Sequence, residues 1–333
     1  MEEAANRRGN VPVFLRPAAK DYLWGGTRLN DDFNLGLPVY PLAEAWMCST
    51  HPDGVSATDG EERNLAELVR EHPEWLGSHV LQVTEGKAEL PILIKLIDAR
   101  EDLSVQVHPD DEYAARTEGS WGKTEMWYVL SAREGAKLVY GFKRDVEEDE
   151  AREAIRDGSI TEMLNHVPVK KDDLFFIEAG TVHAIGAGCL IAEIQQSSNL
   201  TYRMYDYGRV GRDGKKRPLH VDRAMEVAKR SSSAIPRQPM RVLKYRNGYA
   251  SELLSRCRYF QVERLLLNTE GRRMAEFRAE ENSFHALLCV EGCGVLFGEG
   301  YSRNFFKGDC IFVPAESVPL GLHGKAVLLN VSC

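Results

Sequence analysis

No window of this chain approaches the uncharged apolar run of about 20 residues that a membrane helix needs. Its first residues, MEEAANRRGNVPVFLRP, hold no apolar signal core. An excess of positive charge is missing too: 42 Lys and Arg against 50 Asp and Glu leave a net −8, with a pI near 5.7. That balance repels a polyanion and excludes a general nucleic-acid binder. A small anionic substrate stays open, because a few local cations can hold one. Cysteine is sparse, 7 in 333 residues, an odd number scattered along a chain too long to need covalent staples. Free thiols in a reducing cytoplasm are the expectation. Cys289 and Cys293 stand four apart with no second pair nearby and read as packing residues, not as half of a zinc knuckle.

Helical periodicity is scarce as well. Asn64 to Leu76 places Leu65, Leu68 and Val69 on one face, with Pro73 breaking or kinking the pattern. Val146 to Leu164 opens with acids, which suit a helix N-terminus, and is interrupted near Gly158. Asp222 to Ala228 gives a third, short helix. What fills the chain is strands: PILIKLI, EMWYVL, AKLVYGF, DLFFIEA, CLIAEIQQ, FQVERLLL, FHALLCV, DCIFVP and AVLLNV, separated by Gly, Asp and Pro turns. Strands at this density indicate a mainly β sandwich or barrel.

The polar, basic stretch KRSSSAIPRQPMR, residues 229–241, divides the chain unequally. The two parts share a cadence. DDLFFIEAGTVH, residues 172–183, and KGDCIFVPA, residues 307–315, both run acid, apolar strand, then a turn containing Ala. Two copies of one β architecture are the reading, and only the first carries a histidine just after its turn.

The stretch SVQVHPDDEYA, residues 104–114, carries the chemistry. At a period of two, Ser104, Gln106 and His108 share one strand face while Val105 and Val107 take the other. Glu125 follows in GKTEMWYVL, with Lys123 on its face, and His183 follows the turn EAGTVH. Inward residues of neighbouring strands in a small barrel converge, and two imidazoles, a carboxylate and an amide oxygen suit zinc or another first-row divalent ion. A lone strand histidine is more often a hydrogen-bonded core residue; the Q-x-H alternation with two further donors is what lifts this set above that reading. Farther on, Glu193 and Gln195 share a face, and Arg203 alternates with its neighbours in TYRMYDY. An inward Glu can accept a proton and an inward Arg can hold an oxyanion or phosphate. The competing reading is a structural ion pair of Arg203 with Asp206 or Glu193. The basic residues Arg209, Lys215, Lys216 and Arg217 are further phosphate candidates, or simply a solvated loop.

Together with FLRPAAKDYLWGGTRL, EAWMCSTHPDGVS and RPLHVDRA, these segments resemble the type I mannose-6-phosphate isomerases in their shorter, bacterial-type form. The resemblance spans most of the first 225 residues in order; the last hundred fit only in general character. It implies two cupin jelly-roll barrels, the second degenerate, with a few inserted helices. Residues 1–235 would form the metal-binding catalytic domain, with a helical insertion around 146–165, and 236–333 the second, cupin-like domain. It implies Gln106, His108, Glu125 and His183 as ligands of Zn2+ or another first-row divalent ion. Arg203, Lys123 and Glu193 would be catalytic, and Ser104, Trp24 and Arg203 would bind substrate, a sugar phosphate passing between aldose and ketose. The family's usual Pro of the second cupin motif is here Glu178, a departure the family tolerates. Two other classes stay open. One is a cupin dioxygenase or oxidase with iron on two His and a carboxylate, against which Gln106 and the Lys123/Arg203 pair weigh. The other is a non-catalytic sugar-binding cupin, which needs no full ligand set.

Overall fold

The computed structural model describes residues 10–60, 62–271 and 274–333. Among these, three antiparallel sheets of ten, six and five strands carry the architecture. The six-stranded sheet runs Leu174–Ile177, Glu125–Ala132, Cys189–Gln196, Ile92–Asp98, Glu44–Cys48, Ala18–Lys20. The five-stranded sheet runs Tyr202–Tyr205, Val105–Val107, His183–Ile185, Lys137–Phe142, Leu164–Pro168. These two enclose the first barrel. The ten-stranded sheet is built mainly from residues after 243.

The central strands of the six-stranded sheet are buried on both faces, which is why PILIKLI and CLIAEIQQ read as nearly unbroken apolar runs. Ile92, Ile94 and Leu96, with Ala192 and Ile194, face outward into one core shared with Val262, Leu288, Phe312 and Val331 of the ten-stranded sheet. The alternate positions, Ile97 and Ile191 among them, face the first barrel's interior with Trp24, Trp127 and Phe175. The barrels therefore stand back to back, and Lys95, Glu193 and Gln195 are polar interruptions on the inward face.

The N-terminal strand Val13–Arg16 crosses the division expected near residue 235. It pairs with Cys310–Val313, in the register Val13 opposite Phe312, and Ala57–Thr58 pairs with it in turn. An otherwise open edge of the second sheet is covered in this way.

The helices follow their caps. Asn64 and Glu67 form a reciprocal capping box at the start of Leu65–Glu71, and Pro73 turns the continuation into a 3-10 turn, Pro73–Leu76. Glu148–Asp157 has Glu148, Asp149 and Glu150 in its first turn, ends at Gly158 with φ +86°, and passes into the 3-10 turn Ser159–Met163. The short helix after residue 220 is Val221–Val227. Helix Asp111–Glu118 lies outside the periodicities noted above, because it buries only Ala114 and is specified by its ends. The Asp110 side chain accepts from the Tyr113 N–H, acids fill the first turn, and Gly119 closes it in the left-handed region. Among the described residues no helix is long and apolar enough to cross a membrane.

Candidate active site

Register brings the candidates together. Gln106 lies directly between His183 on one neighbouring strand and Arg203 on the other. In the opposing sheet Gln195 stands opposite Glu125, and Glu193 lies between Trp127 and Lys95. The inner faces of the two sheets thus present their polar residues to one cavity of about 260 Å3, whose walls include Trp24, Ser104, Lys95, Lys123, Glu193 and Arg203. Trp24 reaches that wall because the following Gly25 and Gly26 lie against Ala43 and Asp98. A Cβ at Gly25 would come within 2.5 Å of the Ala43 Cβ, and one at Gly26 within 2.1 Å of an Asp98 carboxylate oxygen.

His108 Nδ1 lies 2.7 Å from the Leu200 carbonyl and His183 Nδ1 2.8 Å from the Thr181 carbonyl. A carbonyl only accepts, so each Nδ1 carries the hydrogen and each Nε2 turns a lone pair inward. The two Nε2 atoms face each other at 3.1 Å. Glu125 brings Oε1 to 3.4 Å from His183 Nε2 and Oε2 to 3.7 Å from His108 Nε2. Its Oε1 is buried without a hydrogen-bond partner. Gln106 turns its amide to within 3.4 Å of His183 Nε2. All ligand atoms of the His108, Glu125 and His183 trio lie within 4.8 Å of one another. Lone pairs in such contact, with an orphaned carboxylate oxygen beside them, suit a bound cation, and the N/O donor set fits a zinc-type ion. Burial, then the Lys123 charge, pushes the His183 imidazole down to about 4 and His108 lower than its usual range for the same reasons, so both rings are neutral at pH 7, as a metal ligand must be.

Lys123 hydrogen-bonds Glu125 and approaches His108 Nε2 at 3.2 Å and Glu193 Oε1 at 3.9 Å. Glu193 also accepts from the Trp127 indole at 2.9 Å and pairs with Lys95 at 3.1 Å. Burial pushes its carboxyl up, but Lys123, Lys95 and these hydrogen bonds outweigh that and hold it ionised. Arg203 does not pair with Asp206 or Glu193. Its Nε donates to Ser104 Oγ at 3.3 Å and its Nη1 to the Pro218 carbonyl at 3.0 Å, while Arg217 takes the Asp206 carboxylate at 2.6 Å. Of the basic loop, Arg217 reaches the cavity, Lys215 and Lys216 stay exposed, and Arg209 binds the Asp102 carbonyl. Glu178, in place of proline, sits outside the site and pairs with Lys229 at 2.8 Å across an exposed surface.

Lys95, Glu44 and Tyr22 also line the cavity, and the sequence reading left them unmarked. Lys95 bridges Glu193 and, at 3.7 Å, Glu44, whose Oε2 accepts from the Trp46 indole at 2.7 Å. Burial disfavours the Lys95 ammonium, but Glu44, Glu193 and Glu125 together keep it protonated. The signal was present as a single charge in the apolar run PILIKLI, and again in EAWMC.

Residues 13–135 match the family model described as phosphomannose isomerase type I, catalytic domain. The mannose-6-phosphate isomerase ManA of Bacillus subtilis is 36% identical over 322 residues, covering 95% of this chain and 96% of that relative. The chain belongs to this family. A crystal structure of the mannose 6-phosphate isomerase from Bacillus subtilis, 33% identical, matches with a TM-score of 0.85 over 97% of this chain and 99% of its own. A zinc-bound mannose 6-phosphate isomerase structure shares the fold at 16% identity, with a TM-score of 0.74 over 96% of this chain and 98% of its own. Both barrels of the family fold are thus present, as the sequence resemblance implied.

Proposed function

We propose that the chain interconverts mannose 6-phosphate and fructose 6-phosphate with a divalent cation, zinc in the first instance, held by Gln106, His108, Glu125 and His183. One observation carries this reading. A trio able to hold a cation lies directly behind Gln106 and Lys123, in the wall of the cavity that also presents an ionised carboxylate, Glu193, and the positive groups Lys95, Arg203 and Arg217. Proton abstraction beside a carbonyl, in an anionic substrate, uses that combination.

In the open-chain aldose the hydrogen on C2 leaves as a proton. Its bond pair forms the C1–C2 double bond, and the carbonyl pair moves onto O1, which gains a proton. Loss of the O2 proton, re-formation of a carbonyl at C2 and proton delivery to C1 complete the ketose. Glu193 is assigned as the group that takes and returns the carbon-bound proton. The partners that keep it charged also lower its basicity, so the transfer relies on Lys123 and Arg203 to oppose charge growing on O1 and O2. A divalent cation held by Gln106, His108, Glu125 and His183 would supply Lewis-acid stabilisation of the developing negative charge. Lys123 is also placed to assist ring opening. Ser104 and Arg203 hold the substrate, and Trp24 forms an apolar wall beside it. This work falls to residues 1–235, with 236–333 as a second barrel. Seven free cysteines support placing the protein in the cytoplasm.

The test is isomerisation of mannose 6-phosphate before and after chelation, with zinc and other divalent ions restored. Activity lost and regained is the expected result. Metal-loaded protein that leaves mannose 6-phosphate untouched overturns the proposal, and oxygen uptake by an iron-loaded form would replace it with the oxidase reading.

A further inference from the structure

The second barrel repeats the first residue by residue. His285 stands opposite Val313 as Glu125 stands opposite Ile177. Asn330 lies opposite Leu287 and Glu263, as Glu193 lies opposite Trp127 and Lys95. Even the irregularity one strand further out recurs, between Leu253 and Ser255 as between Trp46 and Cys48. Six residues beyond Val313 is Pro319, in the place of His183 six beyond Ile177. Phe277 pairs with Leu320, so Arg278 and Glu280 follow in the places of Gln106 and His108. Only four residues join Glu280 to His285, where helix Asp111–Glu118 is inserted in the first barrel.

At this pseudo-equivalent place the second barrel is not filled by side chains. It opens a cavity of about 780 Å3, against about 260 Å3 in the first. His285 Nδ1 lies 2.7 Å from Asn330 Oδ1, and Asn330 Nδ2 donates to Glu263 at 3.5 Å. Since Asn330 Oδ1 accepts from His285 Nδ1–H, the other imidazole nitrogen is left as an acceptor. Phe277 packs edge-on against His285, with ring centroids 5.3 Å apart. The Phe297 ring lies over Gly321, where a Cβ would meet it at 2.4 Å.

The substitutions define what the cavity selects. Two of four metal-ligand places hold Arg278 and Pro319, and His285, Glu263 and Glu280 do not form a ligand cluster with a third donor among the described residues. Lys95 is replaced by Glu263 and Lys123 by Ser283. Glu263, Glu276 and Glu280 outnumber Arg278 on its walls, so a phosphate is disfavoured. What stays is a set of carboxylate, amide and imidazole groups for hydroxyls, with aromatic rings for the C–H face of a sugar. We propose that the C-terminal barrel is a second, non-catalytic binding site for an uncharged hexose.

D-mannose titrated into the full-length chain, followed by saturation-transfer NMR and calorimetry, tests this. Binding should survive Arg203→Ala, which disables the first site, and persist with mannose 6-phosphate saturating the unaltered protein. It should weaken at least tenfold in Asn330→Leu and in the milder Glu263→Gln, with kcat and KM for mannose 6-phosphate unchanged. Circular dichroism confirms that the variants fold. No D-mannose binding, binding abolished by Arg203→Ala or by mannose 6-phosphate, or binding indifferent to both second-barrel substitutions overturns the assignment. Failure of isomerase activity alone leaves these readouts intact, so this inference and the proposed reaction fail separately.

Discussion

His108 and His183 aim their Nε2 lone pairs at each other across 3.1 Å, with each Nδ1 hydrogen already committed to a backbone carbonyl. Neither ring can relieve the contact by changing tautomer without abandoning a buried carbonyl. The carbonyls act as fixed supports that orient both rings and select the nitrogen offered inward. Protonating a ring would answer the repulsion, but burial opposes that charge. A bound cation answers it without such a conflict.

His108→Ala removes one of these lone pairs and opens the trio. Metal content by elemental analysis should fall at least tenfold at equal free zinc, with folding checked by circular dichroism. Unchanged metal content would remove His108 from the proposed ligand set.

Glu193→Gln keeps the shape and the Trp127 hydrogen bond while deleting the charge and the proton acceptor. Loss of general-base work should lower kcat by about 10²–10⁴, with bound metal retained. Full activity, or unchanged exchange of the C2 hydrogen with solvent, would eliminate Glu193 as the base.

Lys95→Met separates structure from chemistry. Glu44 and Glu193 would be left buried around a vanished charge, and losing one partner of a buried ion pair costs about 3–5 kcal/mol. Urea unfolding should show that loss even in metal-free protein. Stability within about 0.5 kcal/mol of the parent would mean the two carboxylates find other partners.

His285 gives the second barrel a pH dependence. Burial pushes its imidazole down, against the Asn330 hydrogen bond and the Glu263 and Glu280 charges. Arg278 also lines the same cavity. In the unfolded chain the ring takes up a proton near pH 6.5, but in the fold only at lower pH. The unfolded state therefore binds more protons in that window, and stability rises with pH. The contribution is complete above about pH 6.5 and is lost as pH falls toward the folded value, by at most about 1.4 kcal/mol per pH unit. His285→Gln should flatten the thermal-unfolding profile below about pH 6.5. An equally steep profile would place the dependence elsewhere.

Much of the site was legible in sequence because strand alternation is a local rule. The spacing of Ser104, Gln106 and His108, and of Lys123 and Glu125, assigns each set to one face wherever the strands lie. Helix limits at Asn64, Pro73 and Gly158 were legible for the same reason, since caps and breakers act within a few residues. Helix Asp111–Glu118 was not, because it buries only Ala114 and carries no apolar stripe.

Each segment on its own specified the β architecture, the shared cadence of the two parts and the donor types of the candidate metal site. Those depend on backbone sterics and side-chain chemistry carried by each segment. Tertiary structure decided the rest. It set which strands adjoin, so that Gln106 falls between His183 and Arg203 and Lys95 between Glu44 and Glu193. It also brought Val13–Arg16 across to cover the edge of the C-terminal sheet. Such pairings join residues far apart in the chain, and their free energy comes from burying apolar faces against each other, a quantity no single segment contains.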